Sequence, residues 1–240
     1  MIHNHPPDLE EHLAANIAQV RSTIATAAQR AGRSPDEITL IAVSKTKPVE
    51  MVKIAYNLGV TDFGENRVQE ALPKVTEFHP QGLRWHMIGH LQSNKAGKVV
   101  GSFQSVQSVD GLHLAQVLQR HAAEQALRLP VLLEINVAGE ESKAGITPEN
   151  ALEVARQICA LPNLEVQGLM TVAPLVADPE QVRPVFRALR ALRDQLLNEI
   201  PECSWHHLSM GMTDDYSVAI EEGATIVRIG RAIFGERPYQ

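Results

Sequence analysis

Between Ile38 and Ile229, short apolar runs alternate with stretches of helical periodicity about eight times over. The runs lie at Ile38–Val43, Thr61–Phe63, Arg84–Ile88, Phe103–Val109, Val131–Val137, Leu164–Thr171, His206–Ser209 and Thr225–Ile229. Each but the last leads into a helical pattern. Another helix precedes them all, its apolar face marked by Leu9, Leu13, Ile17, Val20 and Ile24, ending near Gly32. Strands alternating with helices imply a parallel sheet. Eight such units in 240 residues predict an α/β chain folded as a single (β/α)8 TIM barrel, whose leading helix could fill the last place in the helical ring. A doubly wound open sheet is the weaker alternative, because no G-x-G-x-x-G follows the first strand. No linker, low-complexity tract or composition break divides residues 1–240, so one domain is expected, with a disordered start over residues 1–7.

Turn and cap signals punctuate the series. Asp110 stands where it could cap the helix running to about Leu127, and Pro130 opens the fifth strand. Thr147-Pro148-Glu149 and Asp178-Pro179-Glu180 read as helix starts, while Asp214-Asp215 would cap and charge another.

The formal charge of -6 removes the broad basic face that nucleic acid requires. No run approaches the roughly 20 apolar residues of a membrane span, and the N-terminus lacks the pattern of a secretory signal. Two cysteines, Cys159 and Cys203, in no metal-type spacing, fit structural thiols in a reducing compartment. A cytoplasmic protein is expected.

In a barrel of this kind, chemistry gathers at the C-terminal ends of the strands, and phosphate often binds after the seventh and eighth. The first strand runs into Ser44-Lys45-Thr46-Lys47-Pro48. Strand alternation puts Lys45 in one row with Ile41 and Val43, so it can reach into the mouth of a site. A desolvated lysine loses basicity and can form a Schiff base with an aldehyde. The other reading of such a lysine is a strand end snorkelling to water. The second strand ends in Gly64-Glu65-Asn66, the third in Gly89-His90, the fifth near Asn136 and the sixth at Met170-Thr171. The seventh ends in Ser209-Met210-Gly211-Met212-Thr213, and the eighth carries Arg228 before Gly230-Arg231. Glycines that admit a ligand to the backbone, placed before helix starts, make these last two loops a candidate phosphate cup. A phosphate cup facing a Schiff-base lysine suits either a sugar phosphate, as in a lysine aldolase, or pyridoxal 5′-phosphate. The residues alone leave both open.

Several motifs in order narrow this. Ala-Val-Ser-Lys-Thr-Lys-Pro (42–48), Phe-Gly-Glu-Asn (63–66) with Val-Gln-Glu (68–70), Trp-His-Met-Ile-Gly-His-Leu-Gln-Ser-Asn-Lys (85–95), Gly-Leu-Met (168–170), Leu-Ser-Met-Gly-Met (208–212) and Arg-Ile-Gly (228–230) span most of the chain. Together they resemble the pyridoxal phosphate homeostasis proteins, a family sharing the barrel of bacterial alanine racemase. The resemblance implies that Lys45 holds pyridoxal 5′-phosphate as an internal aldimine and that Asn66 and Met170 lie near the ring. It also implies that Ser209, Met210, Gly211, Thr213, Gly230 and Arg231 form the phosphate loops, and that Arg228 faces the pyridine nitrogen. Thr213 stands where the family commonly has serine. Arg231 stands where a hydroxyl residue is common, so the family's hydroxyl contact to phosphate is lost there while the backbone N–H remains.

Arginine opposite the ring nitrogen does not protonate it, which weakens the ring as an electron sink. Alanine racemases add a catalytic tyrosine from a second domain. Here the sequence stops soon after the eighth strand, and Tyr56, Tyr216 and Tyr239 offer no evident replacement. The expectation is a monomeric binding protein without robust turnover, serving PLP-dependent apo-enzymes, with no nucleic-acid or membrane partner. A weak racemase or an aldolase is the alternative. His86 and His90, four apart but on a strand and in a loop, are not read as a metal pair.

Overall fold

The protein, described by a computed structural model over residues 7–140 and 143–236, is a closed barrel of eight parallel strands in sequence order. The strands are β1 (Thr39–Val43), β2 (Asp62–Glu65), β3 (Arg84–Met87), β4 (Ser105–Val109), β5 (Leu129–Glu134), β6 (Leu164–Met170), β7 (His207–Ser209) and β8 (Ile226–Ile229). Around them run α1 (Pro7–Arg30), α2 (Val49–Asn57), α3 (Val68–Glu77), α4 (Leu112–Glu124), α5 (Ala151–Cys159), α6 (Arg183–Glu199), α7 (Tyr216–Glu221) and α8 (Arg231–Phe234). After β3 a 3-10 helix, Ser93–Lys98, takes the helix position. β1 pairs with both β2 and β8, so the ring closes and the open-sheet alternative falls. Closure leaves no edge strand to protect.

Strand alternation divides the apolar residues into two cores. One row of each strand faces outward and packs beneath the helices, as Ala42, Phe63, Trp85, Met87, Val131, Leu169 and Leu208 do. The opposite row fills the barrel, where Ile41, Leu132, Met170 and Ile226 form a separate cluster. Gly64 belongs to that inner row: a Cβ there would lie 2.8 Å from both Ile41 Cγ2 and Ile88 Cδ1. α1 packs against α7, α8 and α2, filling the gap in the helical ring beside the four-residue α8, as expected of the leading helix.

Several local expectations change. Residues 1–6, including His3 and His5, lie outside the described residues, but Pro7 opens α1, where proline's missing N–H costs nothing. Asp110 does not cap α4; Gly111 precedes that helix, and the Asp110 carboxylate meets His90 Nδ1 at 3.2 Å instead. Thr147 makes no side-chain bond to the following turn's backbone, its hydroxyl accepting from the Asn150 side chain. Pro130 lies within β5 instead of opening it. Asp178 does cap, accepting the Glu180 N–H at 3.0 Å. The two cysteines are a disulfide, not separate thiols. The end of α5 and the loop after α6 bring Cys159 and Cys203 to a Cα–Cα distance of 6.2 Å, a proximity their separation of 44 residues did not disclose.

Candidate functional site

Lys45 follows Ile41 and Val43 along the inward row of β1 and sits half-buried in the turn after the strand. Its neighbour Thr46 has φ of +64°, an uncommon backbone for a β-branched residue, and such conformations collect where function demands them. Lys47 is directed elsewhere: its ammonium donates to the carbonyls of Gly235 and Glu236 at 3.2 and 2.9 Å.

Behind Lys45, on the outward side of the barrel wall, lies a buried charge. Glu65 is fully buried, and its Oε1 accepts from the Ser44 hydroxyl at 2.7 Å and from Lys74 of α3 at 2.8 Å. Lys74 also donates to the Ser44 carbonyl at 2.7 Å. The residue immediately before Lys45 is thus held through its backbone and its side chain, while Glu65 and Lys74 neutralise each other.

On the neighbouring strand β8, Arg228 pairs in register with Ile41, points inward and is 4% exposed. Its guanidinium donates to Ser209 Oγ at 2.6 Å and to the Thr171 carbonyl at 2.7 Å. Ser209 in turn donates to Gln107 Oε1 of β4 at 2.7 Å, so three strands are tied together. Burial brings the guanidinium down to about 10, against the pull of Glu134 and Asp215, and it stays charged at neutral pH. The Ser209 hydroxyl is therefore committed to Arg228 and Gln107, where the resemblance assigned that residue to the phosphate loop.

The two expected phosphate loops lie side by side. Gly211 has φ of +93°, and a Cβ there would stand 2.6 Å from Ala219 Cβ and 2.9 Å from Tyr216 Cα, so only glycine fits. Met210 is fully buried in the outer core. Thr213 Oγ1 accepts from the Ala232 N–H at 3.4 Å, bridging the loops after β7 and β8. Gly230 rests on Val43, its added Cβ falling 3.4 Å from the Val43 carbonyl oxygen. The exposed Arg231 side chain is held by Asp214 at 2.5 and 2.6 Å and by Glu236 at 3.2 Å. Asp214 thus pairs with Arg231, while Asp215 occupies the N-cap position of α7 as expected, although its carboxylate accepts the Met212 N–H at 2.6 Å instead of bonding a helix N–H.

Asn66 follows Gly64 along the inward row, and its buried Oδ1 has no hydrogen-bond partner among the described residues. The Asn66 backbone is pinned by Gly89, where a Cβ would lie 2.5 Å from the Asn66 carbonyl oxygen. Met170 is fully buried in the interior cluster, beneath the mouth. Lys45, Asn66, Met170, Gly211, Arg228 and Gly230 thus belong to the inward rows or the strand-end loops of one barrel mouth.

Sequence reasoning missed Lys74, Gln107 and Glu134. A glutamine and a glutamate on the inward rows of β4 and β5 were visible as polar interruptions of buried strands. Lys74 left no such signal, because a lysine on an amphipathic helix is ordinary. His86 has a structural partner set at the opposite end of the barrel. Its Nε2 meets Asp62 Oδ1 at 2.9 Å and its Nδ1 meets Ser105 Oγ at 2.8 Å. Burial pushes Asp62 up, but hydrogen bonds from His86, Arg84 and Thr61 outweigh it and hold the carboxyl well below the usual range. Among the described residues no group of His, Cys, Asp and Glu could hold a metal ion, and no helix is long and apolar enough to cross a membrane.

Residues 11–238 match the family model described as alanine racemase, N-terminal domain. The pyridoxal phosphate homeostasis protein of Aquifex aeolicus is 46% identical over 223 residues, covering 93% of this chain and 97% of that protein. The one from Escherichia coli is 41% identical over 230 residues, covering 95% and 97%. Among solved structures, PipY of Synechococcus elongatus with PLP bound aligns with a TM-score of 0.82 at 36% identity, covering 93% of this chain and 100% of that one. Alanine racemase of Clostridium difficile aligns with a TM-score of 0.72 at 13% identity, covering 95% of this chain and 58% of that one, a likeness of fold alone. On a closed barrel carrying the motifs in order, and on identities above 40% across nearly the whole length, this chain belongs to the pyridoxal phosphate homeostasis protein family, within the alanine racemase N-terminal domain group.

Proposed function

We propose that this chain binds pyridoxal 5′-phosphate through a Schiff base to Lys45 and serves the intracellular balance of that cofactor, without robust turnover of its own. The observation that carries the reading is the barrel mouth itself: a half-buried lysine in the turn after β1, an inward arginine on the neighbouring β8, and glycine loops after β7 and β8. Three local features fit the cofactor. The buried Asn66 Oδ1 lacks a partner among the described residues, so a polar ligand would complete it. Gly211 and Gly230 let the loops after β7 and β8 pack closely against α7 and Val43, which would set their backbone at the mouth where phosphate would approach. The buried Arg228 is a fixed donor for an unprotonated ring nitrogen.

In this reading Lys45, Asn66 and Met170 hold the ring. Ser209, Met210, Gly211, Thr213, Gly230 and Arg231 form the loops at the phosphate end, Ser209 and Arg231 without their side chains, because the Ser209 hydroxyl is engaged by Arg228 and Gln107 and the Arg231 guanidinium by Asp214. When bound, the cofactor supplies an electrophilic aldehyde and an electron-accepting ring. Arg228 limits the second property, which supports storage or delivery to PLP-dependent apo-enzymes over catalysis. Two tyrosines also support this: Tyr56 donates to the Gln81 carbonyl at 2.8 Å outside the barrel, and Tyr216 is packed in the outer core. Tyr239 lies outside the described residues. A monomer in the cytoplasm completes the proposal.

The test is the visible absorption spectrum of purified protein before and after borohydride, beside Lys45→Ala. A yellow protein whose band is lost on reduction, with the adduct mapped to Lys45, is the expected result. A colourless protein that takes up no added pyridoxal 5′-phosphate would overturn the reading. Steady exchange of an amino acid's α-proton by the loaded protein would overturn the non-catalytic part.

A further inference from the structure

Glu134 is the last residue of β5, and the mechanism expected of the family leaves it unused. In register it pairs with Met170, a member of the interior cluster, and it follows Leu132, another member. Its carboxyl therefore faces into the barrel. Oε2 is buried and has no hydrogen-bond partner among the described residues. Three charged groups act on it: Asp110 from the end of β4, Arg228 from β8 and His90 from the loop after β3. Burial, helped by Asp110, outweighs Arg228 and His90 and holds the carboxyl above the usual carboxylate range. An unanswered buried oxygen is costly for the fold and marks a place where a ligand could repay the loss.

The inference rests on the cofactor reading above. In pyridoxal 5′-phosphate the aldehyde lies on the ring between the phosphate arm and the phenolic hydroxyl. Lys45 after β1 would take the aldehyde, the loops after β7 and β8 the phosphate, and Arg228 the ring nitrogen. The edge bearing the phenol and the methyl group is left for the half of the barrel from β2 to β5. Glu134 stands in that half with an oxygen to offer. We propose that Glu134 is a contact residue of the bound cofactor, whose carboxyl hydrogen-bonds the phenol-bearing edge and selects the protonation form in which the cofactor is held. A neutral carboxyl donates to a phenolate oxygen and favours the visible-absorbing form; an ionised one repels it. Retention and colour then change with pH through Glu134.

The experiment compares wild-type, Glu134→Gln and Glu134→Ala proteins loaded with pyridoxal 5′-phosphate. The ratio of visible to near-ultraviolet bands is followed from acid to alkaline pH, and cofactor loss is followed by dialysis. The wild type should show a titration that both variants lack. Glu134→Gln, which keeps a donor, should retain cofactor nearly as the wild type does. Glu134→Ala should lose it about three- to tenfold faster, the worth of one hydrogen bond. Superimposable pH profiles in wild type and Glu134→Gln would overturn the inference while leaving the cofactor reading intact. A wild type that takes up no cofactor overturns both. The Ala variant keeps the test decisive if the Gln variant does not fold.

Discussion

The ammonium of Lys74 donates to the backbone carbonyl of Ser44 at 2.7 Å, directly before the lysine that the barrel mouth presents. The contact comes from the helix layer, through the wall of the barrel, and Glu65 completes it from β2. In the proposed function Lys45 holds the ligand, and this network fixes the residue before it from outside the site.

Lys74→Met leaves Glu65 buried and unpaired. It should cost about 3–5 kcal/mol, the price of breaking a buried ion pair from one side. Urea denaturation would show the loss. Adding Glu65→Gln to that variant should restore part of it, and failure to do so would show that the pair is not coupled.

Gly89→Ala forces a methyl group to 2.5 Å from the Asn66 carbonyl oxygen, a backbone neighbour that cannot rotate away. The chain must shift, moving Asn66 with it. Cofactor affinity should fall about tenfold or more, alongside a stability loss of about 1–3 kcal/mol. Equilibrium titration with pyridoxal 5′-phosphate, paired with thermal melting, separates the two effects.

Arg228→Lys keeps a positive charge but loses the fork that reaches Ser209 and Thr171 together. Ser209 and Gln107 lose their anchor. A shifted absorption maximum and weaker retention are expected in loaded protein. An unchanged spectrum would mean that Arg228 does not face the ring.

Asp62 sets an acid limit. Its folded-state carboxyl lies below the usual range, so its ionised form contributes stability above the unfolded carboxylate value of about 4. That contribution is lost as pH falls through that value toward the folded one. Asp62→Asn should therefore be less stable than wild type at neutral pH and should converge with it in acid. Stability measured by denaturant at a series of pH values would reveal parallel curves if Asp62 were not responsible.

The disulfide lies where helices end and strands begin, away from the mouth. Cys159→Ser opens a link across 44 residues and should lower stability by about 4 kcal/mol on chain-entropy grounds. The spectrum of loaded protein should not change. Thiol titration of unfolded, unreduced protein would find both cysteines reactive if the bond does not form in solution.

The sequence determined the barrel because its information is periodic. Alternation along each strand, helical spacing between strands and glycine or proline at their ends are local, and eight repetitions leave few arrangements that bury all the faces. The same periodicity put Lys45 in the inward row, and ordered motifs named Asn66, Gly211, Arg228 and Gly230. What these residues touch was decided only by closing the ring. Arg228 meets Ser209 because β7 and β8 are neighbours, Ser209 then reaches Gln107 across the interior, and Asp214 captures Arg231 because two loops share one end. Lys74 finds Ser44 through the barrel wall, and Cys159 finds Cys203 at the far end, although nothing in their spacing announced either pair. Such contacts depend on which inward and outward rows face one another across strands, a property of shear and closure that no local stretch of sequence carries.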